Sequence, residues 1–337
     1  MIRVTGLGLV PGADPLEAQL AVLDELTHAA AGQGIGLPFE VQLARSADDS
    51  VAAVARACAM LDQVFAERGP HGWKLADRPG LDLMSERRWL DSQDEAVQIA
   101  LSGYDGGLSV SGLGPITLAA RVYLARGDLA VSDPGAIKEI AHAYAEGLAT
   151  HVARLREHVP GAGPIEVQLD EPLLGAAMAG VLPNFSGMAR IRRLSRDVTD
   201  QILHIVTDRL SEPVTVHLGE SMVGLDAVRT AGVAGVGLNV GQWDPARWAA
   251  IAECIEAGTP VSWGMPAPRF SQCSGPQIVE LADKLWQPWR RIGLAVSGLS
   301  ACSMVDQARS RPHTLGQVRD RLASLVKVAE ILTERLD

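Results

Sequence analysis

The sequence predicts an α/β protein folded as one (β/α)8 (TIM) barrel, and three observations predict it. Eight short apolar runs rich in β-branched residues recur along the 337 residues, most are separated by long stretches of helical spacing, and several of those stretches open on an acidic residue followed by proline. Strands that alternate with helices pair in parallel, because each crossover returns the chain to the same end of the sheet.

The strands are expected at residues 3–10, 37–43, 108–113, 165–169, 214–218, 235–240, 260–265 and 294–299. Helical spacing runs from Asp14 to Gly32, Asp133 to His158, Pro245 to Gly258, Gly275 to Ile292 and Thr314 to Leu336. Asp14 before Pro15, Asp133 before Pro134, Asp244 before Pro245 and Ser274 ahead of Pro276 mark helix starts. Each side chain accepts from N–H groups that lack an intrahelical partner, and proline has no such donor to lose in the first turn. Gly232, Gly258 and Gly293 close three of the later helices. Two further helical stretches, 46–68 and 85–103, flank a loop with Gly72, Trp73, Pro79 and Gly80, so the crossover between the second and third strands is expanded. No polar linker or shift in composition divides residues 1–337, which are expected to form a single domain. A doubly wound open sheet is the alternative, but it lacks its glycine-rich phosphate loop: Pro11 interrupts Gly6, Gly8 and Gly12, and no helix follows directly.

Thirty Lys and Arg against 40 Asp and Glu give a net charge of -10, with no basic stripe of the kind that tracks phosphates. Nucleic acid is not expected as a partner. Arg190, Arg192, Arg193 and Arg196 are the one dense basic group, at the start of a predicted helix, and read best as a solvated face. Cys58, Cys254, Cys273 and Cys302 have no paired spacing, which fits a reducing, cytoplasmic setting. The N-terminal run reaches Gly8 and Pro11 before a signal-peptide core forms, and no later run is long and uncharged enough to span a bilayer.

In such a barrel the reacting groups stand at the C-terminal ends of the strands. Four places are polar there: Gly114-Pro115-Ile116-Thr117, Gln168-Leu169-Asp170-Glu171-Pro172, His217-Leu218-Gly219-Glu220 and Ser300-Ala301-Cys302-Ser303. Strand alternation sends Asp170 and Glu171 to opposite sides, one of them towards the mouth. A carboxylate at the mouth serves to hold an ammonium group or to act as acid or base. The other is then free to cap a helix or pair with an arginine. His217 and Cys302 are residue types that bind zinc, and their placement at two strand ends would bring them to one rim. Singly, each is more often an ordinary buried group.

At these residues the chain resembles the C-terminal catalytic barrel of the cobalamin-independent methionine synthases, particularly their short single-barrel relatives. Gly114-Pro115-Ile116-Thr117-Leu118 is similar to the family's Gly-Pro-Val-Thr turn, and Gln168-Leu169-Asp170-Glu171-Pro172 to its Gln-Ile-Asp-Glu-Pro strand end. Val216-His217-Leu218-Gly219 is similar to the His-x-Cys zinc segment, and Ser300-Ala301-Cys302-Ser303 to the Pro-Asp-Cys-Gly turn. The resemblance implies a zinc ion that activates a thiol such as homocysteine, methylated from a folate or a corrinoid. It implies His217 and Cys302 as metal ligands, Asp170 on the substrate amino group with Glu171 beside it as a catalytic carboxylate, and Thr117 and Asn239 as substrate contacts. The chain departs from the family where Gly219 stands at the first thiolate position, Asn239 at the glutamate position and Leu9 at the substrate-contacting serine. Glu220 or Cys273 would have to complete the ligand set. Three functions follow: a methionine-synthase-like S-methyltransferase, a catalytically degenerate barrel that binds a small ligand or a partner, and a uroporphyrinogen-decarboxylase-like enzyme using Arg45, Arg78 and the Arg190–Arg196 group.

Overall fold

The computed structural model of the protein describes residues 2–27, 35–43, 49–266, 275–306 and 314–336. The chain runs through β1 (Arg3–Thr5), β2 (Leu9–Val10), α1 (Pro15–Thr27), β3 (Gln42–Leu43) and α2 (Asp49–Met60). A hairpin of β4 (Phe65–Gly69) and β5 (Gly72–Ala76) precedes α3 (Leu81–Ala100), β6 (Leu108–Leu113), α4 (Pro115–Ala119) and α5 (Pro134–His158). Then come β7 (Ile165–Asp170), α6 (Leu174–Ala179), α7 (Arg196–Arg209), β8 (Val214–His217), α8 (Leu225–Thr230) and β9 (Gly235–Asn239). The chain closes on α9 (Pro245–Glu256), β10 (Val261–Met265), α10 (Gly275–Ile292), β11 (Ser303–Asp306) and α11 (Leu315–Glu334).

The capping chemistry read from the sequence operates here. Asp14 accepts from the N–H groups of Leu16 and Glu17 at 2.8 and 3.2 Å. Asp133 accepts from Gly135 and Ala136 at 2.8 and 2.9 Å, and Asp244 from Ala246 at 2.9 Å. Such caps are each worth about 1 kcal/mol. The cap expected at Ser274 lies outside the described residues.

β1, β11, β10, β9, β8, β7 and β6 form one parallel sheet in that order. Both edges bond to the segment 35–43: Leu37 N donates to Val4 O at 2.8 Å on one side, and Glu40 N to Ser109 O at 2.9 Å on the other. The sheet is therefore curled, with an inner face and a helix-covered outer face. Val4, Val110, Val167, Leu169, Val216, Val236, Leu238 and Met304 are buried strand positions. Trp263 stacks on Trp248 of α9 with ring centroids 5.3 Å apart, which marks its side of β10 as the helix face.

The structure corrects four expectations. Residues 3–10 are interrupted at Gly6–Gly8, where Gly8 takes φ +90, so two short strands replace one. Residues 37–43 make only bridges before β3, because Pro38 has no N–H for the ladder. The stretch 46–68 is not one helix: α2 ends at Met60, and Trp73 belongs to a strand of the hairpin. The last strand is Ser303–Asp306 rather than 294–299, which leads into the 3-10 segment Val296–Ala301. That segment packs under Trp289, whose indole N–H donates to Ala295 O at 3.1 Å, and a side chain at Gly298 would press on the ring at 3.1 Å. Among the described residues no helix is long and apolar enough to cross a membrane.

Candidate functional site

The C-terminal edge of the sheet gathers its polar residues on the inner face. Gln168 of β7 donates through Nε2 to Ser109 Oγ at 2.6 Å and lies 3.5 Å from Gly6 O, beyond β1. A residue of β7 that reaches both β6 and the chain after β1 must point across the interior. Its carbonyl faces His217 Nε2 at 2.8 Å. With the Gln168 amide oriented by two acceptors, His217 carries its proton on Nε2 and keeps an acceptor on Nδ1. Burial pushes the His217 pKa down to about 4, so the imidazole is neutral near pH 7. Gly237 makes room for it: a Cβ there would stand 2.0 Å from Nδ1.

Asp170 shares the face of Gln168, two residues on, and is paired in register with His217. Asn239 lies two residues beyond Gly237 on β9, its N–H donating to Gly219 O at 2.8 Å, and so shares that face. Asp170, His217 and Asn239 are thus brought together on three neighbouring strands. They place an acidic, a neutral basic and an amide group on the inner face at the C-terminal ends of these strands.

Glu171 turns the other way and is committed. Its carboxylate accepts from the N–H groups of Ile116 and Thr117, both at 2.8 Å, and from the Thr117 hydroxyl at 2.6 Å. A side chain on Gly114 would collide with it at 2.2 Å, which explains the glycine in that turn. Burial raises the Glu171 pKa to about 7 despite those three donors. Of the two adjacent carboxylates, Glu171 is the helix-capping one, and Thr117 is its partner, with Leu173 N donating to the same hydroxyl at 3.2 Å. Neither faces the mouth.

His217 and Cys302 do not share a rim. Cys302 precedes β11 instead of following it, so it stands at the N-terminal end of that strand. Its Sγ contacts Gly298 O at 3.7 Å and lies against Trp263 on the helix face, while His217 points inward. Burial lifts the Cys302 thiol to about 11. Glu220 is exposed in the loop after β8, where its carbonyl accepts from Arg247 at 2.8 Å, and Cys273 lies outside the described residues. A thiolate zinc site built on His217 and Cys302 does not fit this arrangement.

The sequence reading missed a buried charged cluster between the sheet and its helices. Glu40, Asp94 and His151 offer three ligand atoms within 4.8 Å of one another. The two carboxylates already have partners: Arg56 bonds Glu40, His151 Nε2 lies 2.9 Å from the same oxygen, and Arg154 lies 2.5 Å from Asp94. Although burial alone would raise it, Arg56 and His151 hold Glu40 down at about 2, whereas burial raises Asp94. The signal was there to find, a glutamate amid the apolar run Leu37-Pro38-Phe39-Glu40-Val41 and a histidine on the buried stripe of α5.

No protein-family model matches the chain, and no curated protein matches it. Among solved structures it is similar to a B12-independent methionine synthase from Shewanella sp. W3-18-1 in complex with selenomethionine, with TM-score 0.61 and 13% identity over 100% of this chain and 99% of that one. It also matches a putative dihydrodipicolinate synthetase from Pseudomonas aeruginosa, with TM-score 0.37 and 14% identity over 99% of this chain and 81% of that one. The first likeness is one of fold, at full length. The resemblance read from the strand ends names the same family as this neighbour, and the likeness of whole chains shows a shared fold.

Proposed function

We propose that the chain is a single-domain (β/α)8 barrel whose C-terminal mouth binds a small molecule bearing an ammonium group, such as an amino acid. Stepping round the sheet by its strand registers and back through residues 36–39 returns to the starting segment displaced by eight residues, the shear of an eight-stranded barrel. The observation that carries the binding role is the placement of Asp170 at the C-terminal end of β7, in register with a neutral His217, while Glu171 turns away to the Ile116–Thr117 turn. A carboxylate there attracts an ammonium, His217 contributes an acceptor, and Asn239 contributes an amide for a polar tail. A ligand-dependent thermal shift tests this. Methionine and homocysteine are expected to stabilise the protein and their N-acetyl derivatives, which lack the cation, are not. Equal shifts from both would contradict it.

Methyl transfer to a thiol is the second reading, favoured by the full-length likeness to the methionine synthase. It calls for a way of activating the thiol. Gly219 and Asn239 stand where that family places a thiolate and a glutamate, and Cys302 faces away from the mouth. Stoichiometric zinc lost on His217→Ala would support this reading and displace the first as a complete account. The free thiols Cys58, Cys254 and Cys302, all buried, support a cytoplasmic setting.

A further inference from the structure

Beside the mouth, between the β2–β3 pair and helices α2 and α3, lies a cavity of about 160 Å³. Leu9, Leu43, Ala52, Ala55 and Leu90 give it apolar walls. Its inward polar groups are mostly spoken for. Gln93 accepts from Leu43 N at 2.9 Å and donates to Trp89 O at 3.2 Å, and Gln42 donates to Ser111 O.

Arg56 is different. It lines the cavity with a side chain only 9% exposed, and of its guanidinium nitrogens only Nη2 is engaged, by Glu40 and by His151 at 3.4 Å. Nε and Nη1 are buried without a partner. A buried cationic donor left unsatisfied is costly, so such a group signals a missing acceptor. Arg68 and Glu86 line the same cavity, and the pairing of Arg56 with Glu40 uses only one of its nitrogens.

We propose that this cavity is a binding site for a small monocarboxylate with a short apolar body, its carboxylate on Arg56 and its tail between Leu43, Ala52 and Leu90. The carboxylate supplies acceptors that Nε and Nη1 lack, and the walls favour hydrocarbon over bulk solvent. The site is separate from the mouth and does not rest on the amino-acid reading.

The test uses the intact chain, titrated by calorimetry and by NMR of the Trp89 indole with butyrate, butyramide and inorganic phosphate. Butyrate is expected to bind at least about tenfold tighter than its neutral isostere, which is about 1.4 kcal/mol. It should also shift the Trp89 indole signal. Arg56→Gln risks unfolding by stranding Glu40, so the second arm is Ala52→Phe, which fills the cavity from α2 and leaves the Arg56–Glu40 pair in place. That variant, with its fold checked by circular dichroism, is expected to lose butyrate binding tenfold or more. Equal binding of butyrate and butyramide, no binding of either, binding of phosphate alone, or unchanged affinity in folded Ala52→Phe would each overturn the proposal. Waters alone would then satisfy Arg56.

Discussion

Two groups of polar residues are buried in this molecule, and they are buried by opposite means. Inside the curled sheet, Ser109, Gln168 and His217 form a chain of neutral hydrogen bonds. Outside it, Glu40 and Asp94 are paired with Arg56 and Arg154, and His151 lies between the two carboxylates. A neutral network can end at an open mouth and leave an acceptor for a ligand, because none of its members demands a counter-charge. An ionic one must close on itself, since any member left single in low dielectric is costly. The inner group therefore keeps an acceptor for a ligand, whereas the outer group ties the segment 35–43 to α2, α3 and α5 and leaves over the Arg56 donors beside the neighbouring cavity.

The largest expected effect falls on the outer group. Glu40→Ala strands Arg56 and His151, and urea unfolding should show a loss of about 3–5 kcal/mol. A loss below about 1 kcal/mol would mean that the cluster does not hold the helices. Gly237→Ala attacks the inner group: its Cβ claims the place of the imidazole, at a cost of about 1–3 kcal/mol, and 15N NMR should show His217 released from Gln168. An unchanged His217 signal would show that the imidazole sits elsewhere.

The pH dependence separates two further groups by sign. His217 has a lowered pKa, so its contribution to stability is complete above about 6.5 and fades as pH falls towards about 4. Glu171 has a raised pKa, so its contribution is complete below 4.5 and fades as pH rises through about 7. Stability curves should flatten on the acid side in His217→Gln and on the neutral side in Glu171→Gln. Either variant flattening the other's window would contradict the assignment. The smallest effect is expected at Cys302→Ala, about 1 kcal/mol of packing with no change in ligand binding.

The parallel strands from β6 to β10 and the capped helices were legible because local chemistry decides them. Asp133-Pro134 and Asp244-Pro245 announce a helix whatever surrounds them. The hairpin at Phe65–Ala76 was not, because Val64 to Lys74 interleaves apolar and charged residues at a spacing that suits either element. The displaced last strand had the largest consequence. Both 294–299 and 303–306 are short apolar runs, and only Trp289 packing on Ala295 and Gly298 decides between them. Moving that strand by a few residues carried Cys302 from one end of the sheet to the other and dissolved the zinc pair. At the Asp170-Glu171 corner, alternation requires opposite directions, and only the fold of the Gly114–Thr117 turn identified Glu171 as the carboxylate that caps it.

Calorimetric titration of L-methionine into wild type, Asp170→Asn and Cys302→Ser is the most direct test of a mouth that recognises an ammonium group without a thiolate. Binding is predicted in wild type and Cys302→Ser alike, with a loss of tenfold or more in Asp170→Asn, or about 1.4 kcal/mol. Undiminished binding by Asp170→Asn, or its abolition by Cys302→Ser, would contradict the account.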